Sequence, residues 1–287
     1  MVASDEPLKL DHADLRAMAD WLLPLARAAG VAIMDIYAMA QAHPRGSASA
    51  LLEHKADESP LTEADLAAHQ TIVSGLVSHT PEIPIISEES FKPEQMQTVG
   101  ARFWLVDPLD GTKEFLSGTG EFTVNIALIE DRKPVLGVVY QPTVDELFWG
   151  GLALGAWRRS GSLDASLDQA VGVLPRTEPP WRVLASRSHL GPQTRDLIKR
   201  MGKTELLQAG SSLKFCRIAS GQADFYPRLG FTSQWDTAAA QAVLEGAGGY
   251  VMDVHGHPLR YGQADIINSN FLASALPYDR VRQWWGV

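Results

Sequence analysis

The residues best suited to chemistry lie in the run Trp104-Leu105-Val106-Asp107-Pro108-Leu109-Asp110-Gly111-Thr112. An apolar run of strand type delivers Asp107 to its carboxyl end, and Pro108 fixes φ and removes a backbone donor. Two carboxylates three residues apart, across a turn closed by Gly111, can converge on adjacent hard cations, with the Leu109 carbonyl supplying a further oxygen. Mg²⁺ suits such a set, because it takes one or two carboxylates and fills its remaining positions with carbonyl, water or phosphate oxygens. The N–H groups of Gly111 and Thr112 can cradle a phosphate, above all where a helix begins. The plainer reading of the same run is a strand followed by a turn, since Asp, Pro and Gly all favour turns.

Other acidic residues stand at the ends of expected elements. Glu88, in Ser87-Glu88-Glu89-Ser90, follows the apolar run Ile83 to Ile86, and taken alone this segment reads better as a solvated acidic loop. Thr62 and Asp65 open an expected helix, where they resemble a capping box. Asp236 suits the N-cap of a later helix. Together, Asp65, Glu88, Asp107, Asp110 and Asp236 occupy the element ends where α/β proteins build sites. The spacing of three between Asp107 and Asp110 excludes a haloacid-dehalogenase-like phosphatase, whose two aspartates stand two apart.

These residues must be positioned by both helices and strands. Apolar residues recur at helical spacing from Asp14 to about Met39, with Pro24 predicting a kink or two abutting helices. A second amphipathic helix is expected from Thr62 to about Ser78, with Leu66, Val73 and Leu76 on its apolar side, after a loop at 41–60 that can hold a short strand. Short apolar runs at Ile83–Ile86, Phe103–Val106, Phe122–Ile129, Pro134–Tyr140 and Glu146–Gly150 predict strands, the later ones in an antiparallel meander. The stretch Ser160 to Pro180 is polar and aperiodic, which places a junction there and predicts two halves, 1–158 and 159–287. Beyond it, strands at Arg182–Ala185, Glu205–Leu207, Asp224–Tyr226 and Tyr250–Asp253 alternate with helices near Thr194–Met201, Ser212–Ala219 and Asp236–Glu245, the pattern of a layered α/β unit.

Composition limits the partners. The chain has 287 residues and a net charge of -9, with no long basic run, so nucleic-acid polymers are poor partners while a small phosphorylated substrate needs local cations. Cys216 is the single cysteine, which leaves no intrachain disulfide and fits a reducing cytoplasm. The N-terminus lacks the pattern of a signal peptide, and no run of 18 apolar residues predicts a membrane span. Trp284-Trp285 is expected to dock on the protein, with peripheral contact to the inner membrane as the alternative. His255-Gly256-His257 reads as a turn rather than a metal site, and Cys216 as a buried apolar residue.

The ordered series Asp65, Glu88-Glu89, Asp107 to Thr112, Trp235-Asp236 and Gly248-Gly249 resembles the lithium-sensitive, Mg²⁺-dependent inositol monophosphatase superfamily, from about Leu25 to about Ala275. Gly111 to Phe115, with Lys113-Glu114 at its centre, is similar to the CysQ-type 3′(2′),5′-bisphosphate nucleotidases. So are Gly120 to Ile129, Ala185 to His189 and Gly210 to Cys216. The N-terminal arm and the Ser160–Pro180 connector are longer than that type predicts.

The resemblance implies a five-layer αβαβα sandwich, an α/β fold of α+β layered type, and hydrolysis of adenosine 3′,5′-bisphosphate, a by-product of sulfate assimilation, to AMP and phosphate. It implies two or three Mg²⁺, with Glu88, Asp107 and the Leu109 carbonyl at the first and Asp107, Asp110 and Asp236 at the second. Asp65 and Thr112 would orient and deprotonate the attacking water, beside Glu88, while the Gly111 and Thr112 N–H groups grip phosphate. Ser186, Arg187, Ser188, His189, Ser211, Ser212, Lys214 and Arg228 are the expected contacts to the rest of the nucleotide, with Glu88, Leu109, Asp110 and Asp236 also facing substrate. Water attacks directly in this scheme, without a phosphoenzyme, in a monomer or homodimer. An inositol or sugar phosphate phosphatase is the alternative substrate reading, and a non-catalytic phosphate-binding regulator the alternative class.

Overall fold

The computed structural model describes residues 9–42, 52–54, 60–162, 164–185 and 191–285. The first half of the chain contributes α1 (His12–Ala42), the short pair β1 (Leu52–His54) and β2 (Pro60–Thr62), α2 (Glu63–His79), β3 (Ile85–Ser87), β4 (Arg102–Asp110), α3 (Thr112–Leu116), β5 (Thr123–Glu130), β6 (Lys133–Gln141), β7 (Glu146–Gly151), β8 (Gly155–Ser160) and β9 (Gln169–Val171). The second half contributes β10 (Trp181–Ala185), α4 (Pro192–Arg200), β11 (Thr204–Gln208), α5 (Leu213–Ala219), β12 (Phe225–Arg228), α6 (Trp235–Gly246), β13 (Tyr250–Asp253), β14 (Phe271–Ser274) and α7 (Tyr278–Val281).

Strands β3 to β9 form a seven-stranded sheet in chain order, parallel only between β3 and β4. The second sheet has five strands in the order β11-β10-β12-β14-β13, parallel among the first three and antiparallel at β12-β14-β13. Alternation along β4 explains why both faces of the first sheet are covered. Trp104 and Val106 point into a core shared with α1 and α2, while Phe103 and Leu105 join a core that contains α5, α6 and the second sheet. A third core packs Val183, Phe225 and Leu272 of the second sheet against Leu197 of α4, Val281 of α7 and Trp284-Trp285. The result is five layers, αβαβα. Both C-terminal tryptophans are buried in that last core, so they dock on the protein as expected.

The differences from the sequence reading have local causes. In place of two abutting helices, α1 is one helix through Pro24, with Leu22, Leu23, Ala26 and Ala29 on either side packed in the core despite the missing hydrogen bond. By length and composition α1 is apolar enough to cross a membrane, yet its inner face is part of the core with α2 and the first sheet. The buried face of α2 runs through Ala64, Ala68, Ile72 and Leu76, while Leu66 is exposed and Val73 half-buried, so small residues set its inner stripe. Strands β8 and β9 lie inside or beside the stretch read as aperiodic, because they are half-exposed and carry polar residues. Gly137 of β6 sits under α6, where a Cβ would fall 2.1 Å from the Ala239 carbonyl oxygen; only glycine lets the helix lie this close.

Candidate active site

The carboxylates gather because of an irregularity in β4. The strand does not end at Asp107 but continues to Asp110. Asp107 pairs with Asn125 and Asp110 with Thr123, so two residues of β4 face one of β5. That is a β-bulge, and Pro108, lacking an N–H, is tolerated there. In a regular strand residues three apart point to opposite faces. The extra residue brings both carboxylates to one face, the one covered by α5 and α6. The turn expected at 108–111 is therefore confined to Gly111, whose φ of 97° is the left-handed conformation that glycine adopts freely. Gly111 is also the N-cap of α3, so Thr112 occupies the first helical position.

Glu88 follows β3 directly and starts a short 3₁₀ turn. Its carboxyl is hydrogen-bonded to that of Asp107, which is almost fully buried. Burial first, then the charges of Glu88, Asp110 and Asp236, push the Asp107 carboxyl well above its ordinary range. Asp236 is pushed up in the same direction by burial, Asp110 and Glu88, against the Ser233 N–H and Arg228. It is not the N-cap of α6, a position held by Gln234, but lies in the first turn and accepts the Ser233 N–H at 2.9 Å. Thr112 donates its hydroxyl proton to Asp65 Oδ1 at 3.4 Å, although Thr112 and Asp65 lie 47 residues apart. The side chain of Thr62, half of the expected capping box, falls outside the described residues.

Asp110 is the most heavily bonded of the group. Its Oδ2 accepts from Ser211 Oγ at 2.5 Å, Ser212 N at 2.8 Å, Ser212 Oγ at 2.9 Å and Asn125 Nδ2 at 3.4 Å. Ser211 has a φ of 49°, rare for a non-glycine residue, and its hydroxyl also lies 2.5 Å from Thr123 Oγ1. Lys214 follows, buried, donating to the Ser211 carbonyl at 2.6 Å and lying 5.1 Å from the Tyr226 ring centre. Burial lowers its pKa to about 8, with Arg228 adding to the effect and Asp110, Glu114 and Glu121 opposing it. Arg228 donates from Nη2 to the Phe231 carbonyl at 2.7 Å, and its buried Nε has no partner among the described residues. Asp110, Ser211, Lys214, Arg228 and Asp236 line one cavity of about 140 Å³.

This donor set fits a hard divalent cation: it is made of oxygen atoms, and its buried carboxylates repel one another until a cation relieves them. The fit is one of chemistry rather than of a preformed shell. Among the described residues, no group of three His, Cys, Asp or Glu side chains is arranged to hold a metal ion, and Asp110 is turned towards its serine donors.

Several partners escaped the sequence reading. His69 Nδ1 lies 2.8 Å from the hydroxyl of Ser87, the residue before Glu88. Its position one helical turn after Asp65 was the available signal. Asn125 and Thr123 were legible only as part of the motif Gly120 to Ile129, because they sit inside an otherwise apolar strand. Ser186, Arg187, Ser188 and His189 lie outside the described residues. Lys113 is exposed, as are His255 and His257, whereas Cys216 is buried with its thiol pKa pushed up by that burial.

Comparison with known proteins identifies the family. Residues 14–283 match the inositol monophosphatase family. The 3′(2′),5′-bisphosphate nucleotidase CysQ of Escherichia coli (strain K12) is 42% identical over 259 residues, covering 90% of this chain and 99% of that protein. The protein of the same description from Buchnera aphidicola is 41% identical over 266 residues, 91% of this chain and 95% of that one. Among solved structures, CysQ from Bacteroides thetaiotaomicron superposes with a TM-score of 0.76 at 37% identity, covering 92% of this chain and 97% of that chain. With the family matched from the middle of α1's first turn to the C-terminal core, this chain belongs to the inositol monophosphatase family.

Proposed function

We propose that this chain is a metal-dependent 3′(2′),5′-bisphosphate nucleotidase that hydrolyses adenosine 3′,5′-bisphosphate to AMP and phosphate, a step linked to sulfate assimilation. The observation that carries the reading is the convergence of Asp107, Asp110, Asp236 and Glu88 beside a cavity that also holds Lys214 and Arg228. The substrate follows from the description of relatives more than 40% identical over nine-tenths of the chain.

A phosphomonoester resists attack because its anionic oxygens repel nucleophiles. Bound to Glu88, Asp107, Asp110, Asp236 and the Leu109 carbonyl, two or three Mg²⁺ would acidify a water and neutralise the phosphoryl oxygens. The chain's own residues do the rest. Thr112 gives its hydroxyl proton to Asp65, so its oxygen is left to accept a proton from a water, and Asp65 can receive the proton that passes through. The N–H groups that open α3 have no intrahelical partner and can hold the phosphoryl group in line. Lys214 and the Nε of Arg228, which has no partner among the described residues, supply the positive charge and the donor that a second phosphate needs. Ser186, Arg187, Ser188 and His189 remain the proposed partners of the nucleoside, with Ser211 and Ser212 acting through Asp110.

The test is phosphate release from adenosine 3′,5′-bisphosphate, which should require Mg²⁺, be inhibited by Li⁺, and exceed the efficiency on inositol 1-phosphate by at least about tenfold, or about 1.4 kcal/mol. Undiminished turnover in excess EDTA would refute the metal requirement, and equal efficiencies would move the assignment to the inositol phosphate reading.

A further inference from the structure

The loop leading into α6 is stapled to the segment 262–268. Gln234 donates its N–H to the Ile266 carbonyl at 2.8 Å and its side-chain amide to the Asp265 carbonyl at 2.7 Å, while its Oε1 accepts the Gly262 N–H at 2.7 Å. Ser233 and Ile267 form an antiparallel bridge. Asn268 closes the staple against Thr232, Ser233 and Thr237. Its N–H donates to the Thr232 carbonyl at 2.9 Å, and its side-chain Nδ2 reaches the Ser233 carbonyl at 2.7 Å, Thr237 Oγ1 at 3.0 Å and Thr232 Oγ1 at 3.2 Å.

The peptide between Thr232 and Ser233 is thereby held from both sides. Its carbonyl accepts from the Asn268 backbone N–H, and its own N–H donates to Asp236 Oδ2 at 2.9 Å. Asp236 needs such an anchor. It is pushed by the like charges of Asp110 and Glu88, so its carboxylate gains by swinging away unless a donor fixes it. A donor on a loop fixes nothing unless the loop is itself fixed. The side-chain amide of Asn268 performs that task by donating to the Ser233 carbonyl and to the Thr232 and Thr237 hydroxyls around the donating N–H.

We propose that Asn268 is a positioning residue for Asp236: by bonding the Ser233 carbonyl and the Thr232 and Thr237 hydroxyls, its side chain fixes the segment whose Ser233 N–H aims the Asp236 carboxylate into the cavity, where it would hold a divalent cation. The inference rests on the reading of Asp236 as a cation ligand. Asn268 touches neither cation nor substrate in this scheme, and its effect passes entirely through Asp236.

Mn²⁺ binding to the full chain, followed by electron paramagnetic resonance, tests both levels. Asn268→Ala should weaken Mn²⁺ affinity by about tenfold or more, the range seen when residues that orient metal ligands are removed. Asp236→Asn should weaken it further, and adding Asn268→Ala to Asp236→Asn should then change nothing, because the residue it positions is already disabled. Asn268→Asp serves if the alanine variant fails to fold. It keeps the shape, and its added negative charge by itself tightens cation binding, so a loss there reports the broken clamp. Unchanged affinity in the folded variants, or losses that add in the double variant, would overturn the inference while leaving the cation reading intact. A wild-type chain that binds no Mn²⁺ would remove both.

Discussion

Replacing Asp110 by Asn separates chemistry from architecture at the centre of the site. The substitution keeps the shape and deletes one negative charge. Three hydrogen bonds of 2.5–2.9 Å from Ser211 and Ser212 end on Asp110 Oδ2. A hydrogen bond to a charged acceptor contributes about 1 kcal/mol more than one to a neutral acceptor, so the three lose about 3 kcal/mol together. The opposing effect is relief of repulsion, because the Asp110 charge helps to raise both Asp107 and Asp236. The net destabilisation therefore falls below about 3 kcal/mol, which for a chain of this size lowers the melting temperature by less than about 10 °C. Turnover should fall at least about a hundredfold, or about 2.7 kcal/mol in the barrier, since a charge proposed to hold the catalytic cation is gone. Phosphate release from adenosine 3′,5′-bisphosphate at saturating Mg²⁺, beside a melting curve recorded without metal, measures the two quantities. A variant with near-normal turnover would take Asp110 out of the chemistry. One that fails to fold would make it a strut for the Ser211–Ser212 turn instead.

Two further outcomes follow from titratable groups. Lys214, with its pKa lowered to about 8 by burial, is charged below that pH, so KM for the bisphosphate should rise as pH passes about 8. Lys214→Met should raise KM about tenfold at neutral pH and abolish that rise; an unchanged alkaline limb would assign it to another group. Asp224 is fully buried, and although burial raises its carboxyl, the donors of Arg182 and the Arg176 N–H outweigh this and hold it below the ordinary value. A depressed folded-state pKa contributes stability that is complete above the unfolded value, near pH 4, and is lost as pH falls through the folded one. Asp224→Ala should accordingly cost about 3–5 kcal/mol at neutral pH and progressively less in acid, and urea unfolding that gave the same loss at both would refute the sign.

Much of the site was legible because it is written in short motifs. The carboxylates of Asp107 and Asp110 belong to one strand, Asp65 opens one helix and Asp236 another, and each was visible as an acidic residue where apolar periodicity begins or stops. Periodicity failed where the environment is mixed. Half-exposed β8 and β9 have no apolar run to reveal them.

What the sequence by itself determined is therefore the set of elements with a covered face and the oxygen donors placed at their ends, since side-chain period and turn chemistry act within a few residues. Tertiary structure decided which of those donors meet. The bulge at Pro108-Leu109 turns Asp107 and Asp110 to one face only because β4 is held in register by β5. Ser211 reaches Asp110 across 101 residues, and Asn268 reaches Ser233 across 35. Such contacts depend on how three cores pack against one another, and the repulsion among the assembled carboxylates exists only after they have.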